Sequence, residues 1–201
     1  MNKIKHIERV NLFQKELNYF STPSIREFAE YCLDHVPEYF FHIPASSTGK
    51  YHPSYALGEG GLVRHTKAAM GIYNELIRAD IQRWYRDQST IPFDDIVLCA
   101  LLLHDTYKSG EENNGNTVFE HPLIAAKAVQ NFGYEYSLDP LWVNCICICI
   151  ESHMGKWCEN KYSSVVLPNP MDDIHDNWAC RLVHLCDYLA SRKCLEYQFN
   201  L

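Results

Sequence analysis

The sequence predicts an all-α fold, a single-domain helical bundle, and three observations carry that expectation. Apolar residues recur at helical steps near both ends of the chain. Ser21-Thr22-Pro23-Ser24 and Pro140 read as helix starts, because proline suits the first turn. The run Ile96-Val97-Leu98-Cys99-Ala100-Leu101-Leu102-Leu103 marks a buried central element.

Taken in order, Leu12, Leu17 and Phe20 and then Ile25, Phe28, Ala29 and Cys32 define two N-terminal helices, so that residues 1–36 are expected to pack on the same domain. Residues 37–61 change character. Phe40-Phe41-His42-Ile43-Pro44, Tyr51-His52-Pro53 and Gly58-Glu59-Gly60-Gly61 read as a long ordered loop, a candidate wall for a substrate site. Helical patterning resumes from Val63 to about Tyr85 and from Pro92 to Lys108. A polar loop from Ser109 to Thr117 leads to a helix through Ala125, Ala128, Val129 and Phe132. Cys145 to Ile150 has the isoleucines of a strand, yet its place between Pro140 and His153 favours a buried helix. A loop runs to Asp173, and Trp178, Leu182, Leu185 and Leu189 form the last apolar stripe. Residues 62–201 make up the expected helical core, and no internal repeat is present.

Composition narrows the function classes. The chain of 201 residues is 47% hydrophobic and 21% charged, which fits a globular domain, and no run is long enough to cross a bilayer. No export signal is visible after Met1-Asn2-Lys3, so a cytoplasmic location is expected. An odd number of cysteines, nine, fits reduced thiols better than a disulfide framework, and Cys145, Cys147 and Cys149 lack zinc-site spacing. A formal net charge of −7 argues against broad attraction to a nucleic-acid backbone.

Several polar residues stand where chemistry is possible. His104-Asp105 closes the buried apolar run, where a core element reaches the edge of a cavity. His65, His121, His153 and Asp187 each belong to a different helical segment. Asp187 lies beside a core-facing stripe and needs a compensating cation, which Arg181, Arg192 or a metal can supply. Lys50, His52, Arg64, Lys67 and Lys156 are candidates for phosphate contacts, with Tyr51, Tyr55 or Trp157 available to stack a base. Ser47-Thr48-Gly49-Lys50 is not a P-loop, because Pro44 stands where glycine is required and Tyr51 where Ser or Thr is required. His42, His175 and His184 fall outside the candidate ligand set, although His184, three residues before Asp187, is placed to support it from behind.

The ordered series His65, His104-Asp105, His121, His153 and Asp187 resembles the signature of the HD-domain metal-dependent phosphohydrolases, with Leu62-Val63-Arg64-His65-Thr66 and the lysine of His104-Asp105-Thr106-Tyr107-Lys108 in agreement. The resemblance implies an HD-type bundle in which His65, His104, Asp105 and Asp187 hold one divalent metal. It further implies that His121 and His153 hold a second, sharing Asp105. Histidine and carboxylate ligands suit Fe, Mn, Co, Ni or Zn. The implied reaction is phosphomonoester or phosphodiester hydrolysis of a nucleotide or short oligonucleotide through metal-activated water, with Lys108 neutralising phosphoryl charge. Pro44 to Pro53 and Gly60 to Thr66 also resemble the approach to the first histidine in HD-domain 3′-to-5′ exoribonucleases, which makes a short single strand a second possible ligand. The competing expectation is a noncatalytic nucleotide-binding or regulatory module on the same fold.

Overall fold

A computed structural model describes residues 6–46, 48–79, 92–171 and 178–195. Eight α-helices and no strand occur among the described residues, as the sequence predicts; the single β-bridge joins Glu159 and Val166. Among the described residues no helix is long and apolar enough to cross a membrane.

The N-terminal apolar repeat is split into α1 (His6–Leu12) and α2 (Gln14–Leu17), ahead of α3 (Pro23–His35). Two side chains fasten these helices to the rest. Arg9 is buried and donates to the carbonyls of Leu33, Asp34 and Val36, satisfying acceptors that the end of α3 leaves open, and it also pairs with Glu38. Asp95, in the first turn of α5 (Phe93–Leu103), accepts from the backbone N–H groups of Ser21 and Thr22 at 2.9 and 2.7 Å and from the Ser21 hydroxyl at 3.1 Å. A buried carboxylate thus ties down the segment that leads into α3, whose N-cap Thr22 makes no side-chain cap of its own.

Helix α5 is the centre of the core, every residue from Asp95 to Leu103 being buried. It packs against α3, α4 (Gly61–Arg78), α7 (Pro140–Glu151) and α8 (Trp178–Ala190), while α6 (His121–Tyr136) lies on α7. An element walled on all sides has no polar face to display, which explains the unbroken apolar run. The cysteine-isoleucine segment is helical within α7, where Cys147 and Cys149 are buried as small apolar groups and no disulfide links the nine cysteines.

Two details differ from the sequence reading, and a third lies outside the described residues. α5 stops at Leu103 and not at Lys108, because the chain beyond it turns repeatedly: Thr106 N–H donates to the Leu103 carbonyl, Lys108 to Asp105 and Gly110 to Tyr107. The loop over 37–61 contains two short 3₁₀ turns, Glu38–Phe41 and Ser54–Ala56. α4 is described to Arg78, and its expected continuation to Tyr85 reaches outside the described residues, as do His175 and Asp173.

The long loop is braced against the helices at both ends. Gly60 and Leu62 donate to the carbonyls of His42 and Ile43, and Ala45 donates to Ala56. At Gly61 a Cβ would sit 2.3 Å from the Ala56 carbonyl oxygen, so glycine is what lets the loop lie on the start of α4. The Tyr55 hydroxyl donates to the Ala190 carbonyl at 2.8 Å, and Lys193 N–H donates to the Tyr51 carbonyl. The loop is thereby held at the end of α8.

Candidate metal centre

The candidate ligands converge from five elements. His65 projects from the second turn of α4, His104 caps α5, and Asp105 follows in the tight turns. His121 opens α6, His153 stands two residues past α7, and Asp187 lies in α8. His65, His104, Asp105, His121 and His153 are at most 1% exposed, whereas the Asp187 side chain is 21% exposed and faces the open side. The turn after α5 is set by Tyr39, whose hydroxyl accepts from Ser109 N–H and donates to the Gly110 carbonyl.

Two donor groups share one carboxylate. His65, His104, Asp105 and Asp187 form the first, and Asp105, His121 and His153 the second. In the first, His65 Nε2 is 2.9 Å from Asp187 Oδ1 and 3.8 Å from Asp105 Oδ2, while His104 Nε2 is 3.5 Å from Asp105 Oδ2 and 3.6 Å from Asp187 Oδ1. In the second, Asp105 Oδ1 is 3.0 Å from His121 Nε2 and 3.7 Å from His153 Nε2. The two oxygens of Asp105 thus face opposite groups. Donors at ~2.0–2.2 Å from one cation stand roughly 3–3.5 Å from each other, so these separations are close to those of a shared ion.

Hydrogen bonding identifies the donor atoms. Nδ1 of His104, His121 and His153 each donates at 2.7 Å to a carbonyl three residues earlier, that of Leu101, Val118 and Ile150 respectively. A carbonyl only accepts, so the proton of each neutral ring belongs on Nδ1 and the Nε2 lone pair points inward. His121 Nε2 and His153 Nε2 then face each other at 3.2 Å, an arrangement that two lone pairs reach only with a proton or cation between them. His104 Nε2 and Asp105 Oδ1 are buried without a hydrogen-bond partner; the His121 nitrogen 3.0 Å from Asp105 Oδ1 is close but not aligned as a donor. Orphaned inward-facing atoms of this kind are what a metal would satisfy, and the His and Asp groups can hold a metal ion.

Electrostatics agree with that reading. Burial pulls the His104 pKa down, but the Asp105 and Asp187 carboxylates outweigh it and push His104 up to about 10. Burial raises Asp105 and Asp187, yet Lys108 and His104 beside Asp105, and His104 and His65 beside Asp187, hold both well below the usual carboxylate range. His153 is lowered to about 3 by burial and by the neighbouring His104 and His121, so its lone pair stays available. Without a metal, a proton on His104 does part of a cation's work.

The other expected residues have distinct placements. Lys108 Nζ bonds Asp105 Oδ2 directly. The His52 ring lies edge-on to His65 with centroids 5.5 Å apart, and burial, reinforced by His65 and Lys108, lowers its pKa to about 4. Arg64 is turned away from the ligands, donating to the carbonyls of Tyr55 and Leu57, and so braces the loop. Lys50 and Lys156 are exposed, lying over the Tyr51 and Trp157 rings. Asp187 meets His65 and His104, whereas Arg192 donates to the Ser191 hydroxyl and Arg181 Nε to the Pro170 carbonyl.

Sequence reasoning missed Gly155, and His184, singled out by its place three residues before Asp187, holds the carbonyl of His153. His184 Nδ1 donates to the His153 carbonyl at 2.7 Å, and a Cβ at Gly155 would lie 2.3 Å from the His184 ring. The only sequence signal for Gly155 was its place two residues after a candidate ligand. No protein-family model matches the chain, and neither a curated protein nor a solved structure matches it.

Proposed function

We propose that the chain is a phosphohydrolase of the HD-domain type that uses two divalent cations to hydrolyse a phosphomonoester or phosphodiester of a nucleotide or short oligonucleotide. The observation that carries the proposal is the Asp105 carboxylate, with Oδ2 toward His65 and His104 and Oδ1 toward His121 and His153. A carboxylate so divided supports a paired site in which both cations share one ligand. Such cations, when bound, polarise a phosphoryl oxygen and lower the pKa of water.

The chain's own groups have separate tasks in this reading. His65, His104, Asp105 and Asp187 hold one cation and His121 and His153, with Asp105, the other. The three main-chain acceptors keep the imidazoles in one tautomer. Lys108 fixes the rotamer of Asp105 and brings positive charge to the edge where phosphoryl charge develops. His52 is neutral at ordinary pH and able to accept or donate one hydrogen bond beside His65.

Elemental analysis of protein purified without chelator is expected to give about two transition-metal ions per chain, and Asp105→Ala is expected to abolish hydrolysis. The decisive assay follows phosphate or nucleoside release from mononucleotides, dinucleoside polyphosphates, cyclic dinucleotides and short RNA with added Mn, Fe, Co, Ni or Zn. Failure of the metal-loaded protein to turn over any of them refutes the proposal.

A further inference from the structure

A second feature stands beside the centre, on residues adjacent in sequence to its own. Tyr51 precedes His52, Tyr188 follows Asp187, and Trp157 lies on the short turn that follows His153. Trp157 and Tyr188 stack with centroids 5.6 Å apart and an interplanar angle of 21°. The Arg192 guanidinium is within 6 Å of three rings, at 4.6 Å from Tyr188, 5.7 Å from Tyr51 and 5.9 Å from Trp157. Lys156 Nζ lies 4.7 Å from the Trp157 centroid and Lys50 Nζ 5.1 Å from that of Tyr51. The platform is not a sealed core, since Tyr51 is 56% and Trp157 40% exposed.

The charge pattern is unusual for this chain. With a net charge of −7, carboxylates are plentiful, yet Lys50, Lys156 and Arg192 have no carboxylate partner among the described residues. Each instead lies over an aromatic face, an attraction weaker than an aligned charge-assisted bond to phosphate. Rings that offer flat faces together with cations that lack anions among the described residues call for a ligand that is planar at one end and anionic at the other.

We infer that Trp157, Tyr188 and Tyr51 form a nucleobase-stacking subsite at the mouth of the metal centre, and that Arg192 and Lys156 move from the ring faces to the phosphate of the ligand they admit. This inference rests on the phosphohydrolase reading for the position of the scissile group, but it specifies more: a nucleotide is selected over a sugar phosphate by stacking. Among the described residues no side chain with a base-reading amide is part of the platform, so purines and pyrimidines are both accepted, with purines favoured by their larger face. The class of ligand is a nucleoside 5′- or 3′-phosphate, free or at the end of a single strand.

Calorimetry on the metal-loaded full chain tests this with non-hydrolysable phosphonate analogues of AMP, UMP and ribose 5-phosphate. The wild-type protein is expected to bind the AMP analogue at least on the order of tenfold more tightly than the base-free one, with UMP between them. Trp157→Leu and Tyr188→Leu are each expected to shrink that ratio several-fold, and Trp157→Phe to restore most of it. Arg192→Met is expected to weaken both nucleotide analogues together. Equal binding of the AMP and ribose analogues by the wild-type protein overturns the inference without any variant, as does a ratio unmoved by folded Trp157→Leu. Hydrolysis of a base-free phosphate ester, measured alongside, separates the two readings: turnover without base selectivity sinks the stacking subsite alone, and base selectivity without any turnover sinks the phosphohydrolase alone.

Discussion

Gly155→Ala tests the link between the α7 exit and the centre. Gly155 has φ +54°, a left-handed conformation that costs an alanine about 1–2 kcal/mol. The added methyl group would also lie 2.3 Å from the His184 ring, inside any contact that real Cβ atoms make. Relief requires the ring to retreat by roughly 1 Å, which breaks the His184 bond to the His153 carbonyl and costs about a further 1 kcal/mol. The expected total is about 2–3 kcal/mol, read as a shift in the urea midpoint of chelator-treated protein with an unchanged slope. The same substitution in a His184→Ala background should cost only the backbone share, about 1–2 kcal/mol, because no ring remains to be struck. Equal costs in the two backgrounds would refute the reasoning, since the ring contact would then contribute nothing.

Three other outcomes are expected. Asp95→Ala removes the acceptor of two backbone N–H groups and one hydroxyl at the start of α3, and thermal unfolding should show a loss of about 2–3 kcal/mol. Asp105→Asn leaves Lys108 and a charged His104 without their shared anion, so chelator-treated protein should lose about 3–5 kcal/mol in urea titrations while elemental analysis shows metal content collapsing at both groups together. Metal-free protein should also have a defined pH profile. His104, raised from 6.5 to about 10, contributes stability fully present below pH 6.5 and lost as pH rises through about 10. Asp105 and Asp187, depressed from 3.8, contribute stability present above that value and lost as pH falls below it. His52 and His153, buried neutral and lowered from 6.5 to about 4 and about 3, lose stability as pH falls below 6.5, so urea midpoints in chelator should peak near pH 6.5 and fall on either side, whereas metal affinity should rise with pH as the His104 proton is displaced.

Much of the architecture was legible because helical periodicity is a local signal. The stripe of α8 and the apolar run of α5 follow directly from which faces are buried. The five ligand segments were legible as polar residues at the ends or faces of apolar helices, a placement that burial makes expensive unless something compensates it. Boundaries were less visible. The end of α5 at Leu103 depends on turns stabilised by Tyr39, a residue about seventy positions away. Arg64, a cation beside a candidate ligand, reads as phosphate-binding until the carbonyls of Tyr55 and Leu57 are seen to take its donors. Gly155 and His184 meet across about thirty residues, a distance at which sequence pattern carries no geometry.

The acceptors behind His104, His121 and His153 are all main-chain oxygens, each three residues upstream of the ring that it orients. No substitution of a neighbouring side chain can delete them, because every residue type supplies a carbonyl. Side-chain identity at the half-buried Val118 is therefore free to vary without loss of imidazole aim, whereas Leu101 and Ile150 are fixed by the core they fill, and variation at Val118 can reshape what reaches the centre while leaving its lone pairs where they are. A library randomised at Val118 should retain metal binding far more often than one randomised at Asp187, whose orienting partners are themselves side chains.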